Sequence, residues 1–188
     1  MESNPNYINQ QDFDLIIAAI PRLKIRKWSD YDVEYLFKIL YHMALRPSEG
    51  IRLEKKDLNL KNRVCYLGKT KTEDHAYVTI PKVFINELSD YLKLKEDGPL
   101  FPGLEYRTLW VWLKRLGELL NIDAWQEGNR ERTGENTVGH IFRKSWGKDA
   151  IENKIGIDVI SQQLRHTKIS MTYDKYLKAN KKKVHDTI

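Results

Sequence analysis

The hydrophobic spacing of this chain changes twice along its length, and that change constrains the fold more than any other feature. From Ser29 to Arg46 the apolar residues recur at helical spacing, and Ser29 is a suitable N-cap. These residues are Val33, Leu36, Phe37, Leu40 and Ala44. Pro47 is expected to end or kink the helix near Arg46. Between 57 and 80 short runs of strand-favouring residues replace this pattern, and helical spacing returns after them.

The short runs predict a small antiparallel sheet with strands near 57–60, 63–68 and 75–80. Helical segments are expected on both sides of it: 12–20, a short turn at 48–53, one helix with Phe84 to Leu92, one with Leu109 to Leu120, 137–153, 157–164 and 168–178. The predicted fold class is therefore α+β, mostly helical with one small antiparallel three-stranded sheet.

Composition and charge favour a globular domain with an acidic partner. The 188 residues are 41% hydrophobic, which suits one domain with a sizeable core. The formal net charge is +6. This charge favours nucleic acid as the partner, although a basic domain without such a partner has the same composition.

The cysteine content and the lack of long apolar stretches limit the cellular context. Cys65 is the single cysteine, which excludes a disulfide within the chain and argues against a cysteine-based zinc site. The polar start, MESNPNYINQQ, has no apolar segment of a signal peptide, and no stretch approaches a membrane-spanning length. We therefore expect a reducing, cytoplasmic compartment and no membrane partner.

Several residues with catalytic potential follow one another along the chain. They are Arg46, a lysine in GKTKT, His140 with Arg143 in HIFR, His166, and a tyrosine near the C-terminus. Each has an ordinary explanation by itself: a solvated arginine at a helix end, a lysine at a strand turn, or an aromatic ring in the core. Their order along the chain adds the information that the single residues lack.

In this order the residues resemble the signature of the tyrosine recombinase (phage integrase) family, which runs Arg, Lys, His-x-x-Arg, His, Tyr. The segment ALRPSEGIRLEKKDL is similar to the first box of that family, and HIFRKSW with LRHTKISMTYDKYL is similar to the second. The resemblance covers residues 10–178. It implies a catalytic-domain fold, DNA cleavage through a 3′-phosphotyrosyl intermediate, and no cofactor or metal.

The chemistry of phosphodiester cleavage explains these residue types. An arginine fork binds phosphate oxygens through two hydrogen bonds and keeps its charge, so Arg46 and Arg143 are expected to hold the phosphate from two sides. A tyrosine hydroxyl ordinarily titrates near roughly pH 10, so it needs a base or positive surroundings to attack. His140, three residues before Arg143, is the expected base. His166 is expected to donate to a non-bridging oxygen.

Two of the assignments keep an alternative. Lys71 is the expected general acid for the leaving 5′-oxygen, because KTKTEDHAYVTIP resembles the family context, and Lys69 is the alternate. Tyr176 is the expected nucleophile, and Tyr173 is the alternate. The family tyrosine most often lies one residue closer to the second histidine than Tyr176 does, at the position of Lys175. The longer linker suits cleavage by a helix donated to a neighbouring subunit.

Two residues depart from the family pattern, since Ala44 and Arg165 stand where the family has glycine. The change at Ala44 is mild. Arg165 places a large cation directly before His166, where it either adds a phosphate contact or crowds the site.

The domain boundaries and partners follow from the resemblance. We expect a flexible lead-in over 1–9, the catalytic domain over 10–178 and a basic tail over 179–188. The family usually has a separate N-terminal DNA-clamp domain, for which the lead-in leaves no room, so the chain is either an excised catalytic domain or a compact stand-alone form. Double-stranded DNA is the expected partner, with a tetramer on DNA and a monomer when free.

Two other functions stay open. The segment IDVISQQLRHTKISMTYDKYL also resembles a helix-turn-helix with Thr167–Tyr176 as its recognition helix, which suits a catalytically inactive DNA-binding regulator. A type IB topoisomerase shares this active-site chemistry and would relax DNA without site specificity.

Overall fold

A computed structural model of the chain describes residues 7–68, 76–121, 140–166 and 168–173. The α-helices in these ranges are α1 (Gln10–Ala19), α2 (Asp30–His42), α3 (Pro47–Ile51), α4 (Ile85–Lys93), α5 (Tyr106–Leu120), α6 (Ile141–Glu152), α7 (Ile157–Gln163) and α8 (Ile169–Thr172). The strands are β1 (Leu58–Asn59), β2 (Val64–Gly68) and β3 (Ala76–Thr79). The predicted α+β class is confirmed. None of the helices in these ranges has both the length and the apolar character needed to cross a membrane.

Helix α2 begins where the sequence predicts, but it ends earlier. Ser29 caps it by accepting a hydrogen bond from the backbone N–H of Asp32 at 3.0 Å. The predicted extension to Arg46 is wrong, because Ala44 has a left-handed backbone with φ of +53°, which an α-helix does not accommodate. Pro47 then opens α3 at its first position, where the missing N–H has no helical partner to lose.

The sheet is antiparallel, with the strands in the order β1, β2, β3. Cys65 lies opposite Leu58 on one side and opposite Val78 on the other. Cys65, Ala76 and Val78 are buried, so one face of the sheet packs against the core. The three predicted strands are confirmed, each slightly shorter than expected. The connection between β2 and β3, residues 69–75, lies outside the described residues.

Helix α2 lies at the centre of the main core. Four of its side chains are fully buried: Leu36, Phe37, Ile39 and Leu40. Phe142 of α6 meets Phe13 and Phe37, with ring centroids 5.9 and 5.4 Å apart. Replacing a buried phenylalanine with alanine costs about 3–5 kcal/mol, so these ring contacts contribute substantially to holding α6 against α1 and α2.

A smaller apolar cluster joins the C-terminal helices to the residues that follow α2. It consists of Ala44, Ala150, Ile160 and Leu164. Trp146 and Ile151 pack against it. Because its members come from α6, from α7 and the residue after it, and from the segment that follows α2, the cluster brings together parts of the chain that carry several of the predicted site residues.

Candidate active site

Arg46 lies at the N-terminus of α3 and is held there by Glu49. Its backbone N–H donates to Glu49 Oε2 at 2.7 Å, and its Nη1 donates to Glu49 Oε1 at 2.8 Å. This pairing provides a partner for an N–H group at the helix start and fixes the first turn. The Arg46 side chain is 33% exposed, so its guanidinium remains accessible to an anion.

Arg143 lies in the first turn of α6 and reaches the segment that precedes Arg46. Its Nη1 donates to the carbonyl of Ala44 at 2.8 Å. Because Ala44 comes two residues before Arg46, this bond brings the two predicted phosphate-binding arginines into one region. Arg143 is only 6% exposed, and the attraction between charges is stronger in such a desolvated environment than in water.

Polar contacts hold α6 on its neighbours in addition to the ring packing. The Tyr41 hydroxyl donates to Asp149 Oδ2 at 2.9 Å. Burial and the nearby Asp149 carboxylate raise the pKa of Tyr41, which keeps this hydroxyl protonated as a donor. Ser145 Oγ accepts a hydrogen bond from the backbone N–H of Ile8 at 2.9 Å. These contacts hold α6 in both its N-terminal and its C-terminal half.

His140 immediately precedes α6 and is partly buried. It lies three residues before Arg143, so both side chains belong to the N-terminal end of this helix, as the spacing predicts. Their assignments as general base and phosphate ligand stay predictions.

His166 follows α7 in a turn formed at Arg165. Arg165 has a left-handed backbone with φ of +48°, and the His166 N–H donates to the Ser161 carbonyl at 3.0 Å. His166 Nδ1 lies 2.7 Å from Thr172 Oγ1, a hydrogen bond that joins the ring to α8. Tyr173, the alternate nucleophile, directly follows the buried Thr172 and is 40% exposed. The histidine and the start of the tyrosine-bearing segment are therefore linked.

Gln163 joins three elements beside this turn, although nothing in its sequence context indicates such a role. Its Oε1 accepts a hydrogen bond from the Thr79 N–H at 2.9 Å, and its Nε2 donates to the Thr79 carbonyl at 3.0 Å. Nε2 also donates to the Met43 carbonyl at 3.2 Å. The end of α7 is thereby fixed to β3 and to the end of α2. The hairpin of β2 and β3 is anchored next to the His166 turn.

Arg165 binds Glu49, whereas either a phosphate contact or crowding of the site was expected at this position. Its Nη2 donates to Glu49 Oε2 at 2.5 Å, and the two side chains are only 3% and 5% exposed. Burial by itself raises the pKa of Glu49. The Arg165 charge and the hydrogen bonds from Arg46 outweigh burial, so the pKa of Glu49 lies below its ordinary value.

Contacts within the described residues thus bring the arginines and the second histidine of the predicted site together. The Ala44 carbonyl binds Arg143, and the Glu49 carboxylate binds Arg46 and the residue before His166. The sequence motif contained Glu49, but its spacing gave no sign that the carboxylate links the two boxes.

Three predicted residues lie outside the described ranges: Lys71, its alternate Lys69, and Tyr176. Lys69 and Lys71 belong to the connection between β2 and β3, and Tyr176 comes three residues after the last described residue, Tyr173. Their assignments as general acid and nucleophile stay predictions.

Comparison with known proteins identifies a family for the chain. A model of the phage integrase family matches residues 6–183. The tyrosine recombinase XerA of Thermococcus onnurineus (strain NA1) is 24% identical over 181 residues, which cover 91% of this chain and 57% of that protein. The chain therefore spans little more than half the length of this relative.

Two solved structures share the fold. XerH site-specific recombinase, bound to palindromic difH substrate in a post-cleavage complex, has a TM-score of 0.66 at 18% identity, over 92% of this chain and 49% of that one. The catalytic domain of bacteriophage HP1 integrase has a TM-score of 0.59 at 17% identity, over 90% of this chain and 85% of that one. The family match extends over almost the whole sequence and agrees with the motifs and the architecture. This chain belongs to the phage integrase family and has the fold of a tyrosine recombinase catalytic domain.

Proposed function

We propose that the chain is the catalytic part of a site-specific DNA recombinase, which cleaves and rejoins DNA through a 3′-phosphotyrosyl intermediate. The observation that carries the proposal is the hydrogen bond from Arg143 Nη1 to the Ala44 carbonyl at 2.8 Å. It holds the guanidinium from α6 against the segment that presents Arg46. This contact supports the proposal that two arginines from distant parts of the sequence bind one phosphate group.

In the proposed reaction, cationic groups stabilise the pentavalent phosphate. Arg46 and Arg143 bind its non-bridging oxygens, and each such donor contributes about two to three orders of magnitude in rate in comparable sites. His166 donates a further hydrogen bond. Its ring is oriented by Thr172 Oγ1, which lies 2.7 Å from Nδ1.

The covalent step exchanges one phosphate ester for another. The Tyr176 oxygen bonds to phosphorus while its proton passes to His140, and the bond from phosphorus to the 5′-oxygen breaks. Lys71 gives a proton to that leaving oxygen. The ester is conserved in the phosphotyrosyl bond, so the 5′-hydroxyl of a partner strand reverses the steps and rejoins the DNA without ATP.

Double-stranded DNA is the proposed substrate. Support comes from the XerH structure, which is a complex with its difH substrate, and from the formal net charge of +6 on this chain. For strand exchange we propose a tetramer on two duplexes, a monomer in the absence of DNA, and action in the cytoplasm.

A groove of 650 Å³ between the segment after α1 and helix α5 supports DNA binding. This basic groove is lined by four cations: Lys24, Arg26, Lys27 and Arg115. Trp28 and Trp112 form part of its wall, and none of the described residues that line it is a carboxylate. In the described part of the chain none of the four cations forms an ion pair. Such a surface suits the phosphate backbone of DNA that flanks the cleaved bond.

Covalent trapping tests the proposed function. The protein is incubated with a pool of nicked duplexes with randomised arms, from which a short leaving fragment diffuses away after cleavage and so traps the intermediate. We expect a protein–DNA adduct that resists denaturant, with the 3′-phosphate mapped to Tyr176 by mass spectrometry. Tyr176→Phe should abolish the adduct, and Tyr173→Phe should retain it.

Other results of this experiment would indicate other functions. An adduct on Tyr173 would keep the recombinase and replace the nucleophile. DNA binding without any adduct would indicate a catalytically inactive regulator. Adducts without sequence preference, together with relaxation of supercoiled plasmid, would indicate a type IB topoisomerase.

A further inference from the structure

We infer that Arg165 is a positioning residue for DNA cleavage: it holds the Glu49 carboxylate so that Arg46 keeps its orientation and its positive charge for the phosphate. The inference rests on the proposed function. It concerns a residue at which this chain departs from the family pattern, and it follows from the contacts of Arg46, Glu49 and Arg165, which together form the ion cluster.

In the ion cluster one carboxylate serves two guanidinium groups. Glu49 Oε1 accepts from Arg46 Nη1 at 2.8 Å. Glu49 Oε2 accepts from the Arg46 backbone N–H at 2.7 Å and from Arg165 Nη2 at 2.5 Å. Both carboxylate oxygens are therefore engaged. Arg165 anchors the carboxylate from the interior, and the carboxylate in turn fixes both the backbone and the side chain of Arg46.

The charge balance of the ion cluster explains what a second arginine adds. A carboxylate paired with Arg46 alone would cancel the charge that attracts a phosphate. Two guanidinium groups and one carboxylate leave a net positive charge. Arg165 and Glu49 are 3% and 5% exposed, whereas Arg46 is 33% exposed, so the charge is presented at the member that an anion can reach.

The cost of placing Arg165 here indicates that its contact with Glu49 is specific. Its backbone φ of +48° is strained for a residue with a Cβ atom, and the family resemblance implies glycine at this position. Its Nη1 donates to the Gln163 carbonyl at 3.2 Å, whereas its buried Nε–H has no hydrogen-bond partner within the described ranges. A strained backbone and an unsatisfied donor both destabilise the fold. The short bond to Glu49 offsets them.

Arg165 also connects the first arginine of the site to its second histidine. It directly precedes His166, whose Nδ1 lies 2.7 Å from Thr172 Oγ1. Displacement of Arg165 would therefore be transmitted to Arg46 through Glu49 and to His166 through the backbone.

Substitutions at Arg165 test the inference in the trapping assay. Arg165→Met removes the charge at similar side-chain length, and Arg165→Lys restores it. We expect Arg165→Met to slow adduct formation at saturating DNA about a hundredfold, while the dissociation constant of DNA changes by less than about twofold. Arg165→Lys should recover most of the rate. Lys93→Met, which removes a cation from an exposed position on α4, should match the wild type and controls for net charge.

A double substitution distinguishes positioning from general damage. If Arg165 acts through the carboxylate, Arg165→Met combined with Glu49→Gln should slow cleavage no more than the slower single variant does. Thermal unfolding gives the folded fraction of each variant, and rates are compared per folded molecule. A double variant with the product of the two single effects, or an Arg165→Met variant with the wild-type rate, would overturn the inference.

A spectroscopic measurement separates this inference from the proposed function. In nitrogen NMR spectra of arginine side chains, the Arg46 guanidinium should rotate slowly in the wild type and faster in Arg165→Met. If the wild type forms no adduct, the proposed function fails, yet faster rotation in the variant still supports positioning of Arg46 by Arg165. An unchanged rotation rate would overturn positioning whether or not the adduct forms.

Discussion

At the scale of single residues, two residues of the candidate site are among those whose backbone conformation favours glycine. Ala44 and Arg165 have φ of +53° and +48°. Their strain is offset in different ways: the Ala44 methyl is buried in the small apolar cluster, whereas the Arg165 side chain binds Glu49. One position is therefore sensitive to side-chain volume, and the other is sensitive to charge.

Substitutions at Ala44 should show that its strain and its packing nearly cancel. A left-handed alanine costs about 1–2 kcal/mol. Ala44→Gly relieves this strain, but it removes a buried methyl worth about 0.8 kcal/mol and adds about 0.4–1 kcal/mol of unfolded-chain entropy. We expect the free energy of unfolding to change by less than about 1 kcal/mol for Ala44→Gly, and to fall by about 2 kcal/mol or more for the branched Ala44→Val. Urea unfolding measures both, and a valine variant as stable as the wild type would contradict this expectation.

The lowered pKa of Glu49 should make the fold sensitive to acid. A carboxyl group whose folded-state pKa is below its unfolded value stabilises the fold above the unfolded pKa, and this stabilisation is lost as the pH falls through the folded-state pKa. We therefore expect the free energy of unfolding to decrease as the pH falls below the ordinary range of a glutamate. Glu49→Gln should reduce this decrease, whereas Glu118→Gln at an exposed position on α5 should not. Urea unfolding across the acidic range compares the two slopes, and equal slopes would refute the linkage.

At the scale of elements, the contact between α2 and α6 positions the site. Tyr41→Phe removes the hydroxyl that donates to Asp149 Oδ2 and deprives a partly buried carboxylate of that donor. We expect the free energy of unfolding to fall by about 1–3 kcal/mol, and adduct formation to slow because α6 carries Arg143. Tyr106→Phe, at an exposed position on α5, is the matched control in urea unfolding and trapping. Equal behaviour of the two variants would show that this hydroxyl does not hold α6.

Most elements can be predicted from the sequence because their signals are local. The Ser29 cap and the apolar spacing after it define the start of α2, and the strand-favouring runs define the sheet. The end of α2 is different. Alanine strongly favours helices, so nothing local to Ala44 indicates a left-handed turn. That conformation is associated with tertiary contacts, namely the bond from Arg143 to the Ala44 carbonyl and the burial of the methyl group.

For the candidate site too, the sequence predicts some features and not others. The order of residue types, through the family resemblance, identifies Arg46, Arg143 and His166 as candidates. The bond between Arg165 and Glu49 joins residues 116 positions apart, and no pattern in either segment indicates it. Contacts of this kind depend on how the two boxes pack, which the spacing within each box does not determine.

At the scale of the whole molecule, the basic groove should contribute to the salt dependence of DNA binding. A variant with Arg26→Gln, Lys27→Gln and Arg115→Gln should bind DNA more weakly than the wild type does. The slope of log affinity against log salt concentration should become shallower by about 0.9 for each phosphate of B-form DNA that the variant no longer neutralises. Fluorescence anisotropy of a labelled duplex over a range of salt concentrations measures this slope.

The matched control removes the same charge from exposed positions outside the lining of the groove. It combines Lys82→Gln, Lys93→Gln and Lys154→Gln. We expect this variant to change the slope less than the groove variant does. Equal slopes for the two variants would show that the net charge of the protein, and not the groove, accounts for the effect.

The Thr79 amide is a natural reporter of motion in this domain. β3 is an edge strand of the described sheet, and an outward-facing amide on such a strand ordinarily exchanges its hydrogen with water. Gln163 Oε1 covers the Thr79 amide instead, at 2.9 Å. Its hydrogen can exchange only when this bond opens, and Gln163 is held in place by two further bonds, from its Nε2 to the Thr79 and Met43 carbonyls. Deuterium uptake at this one amide therefore records how often Gln163, three residues before His166, leaves the sheet.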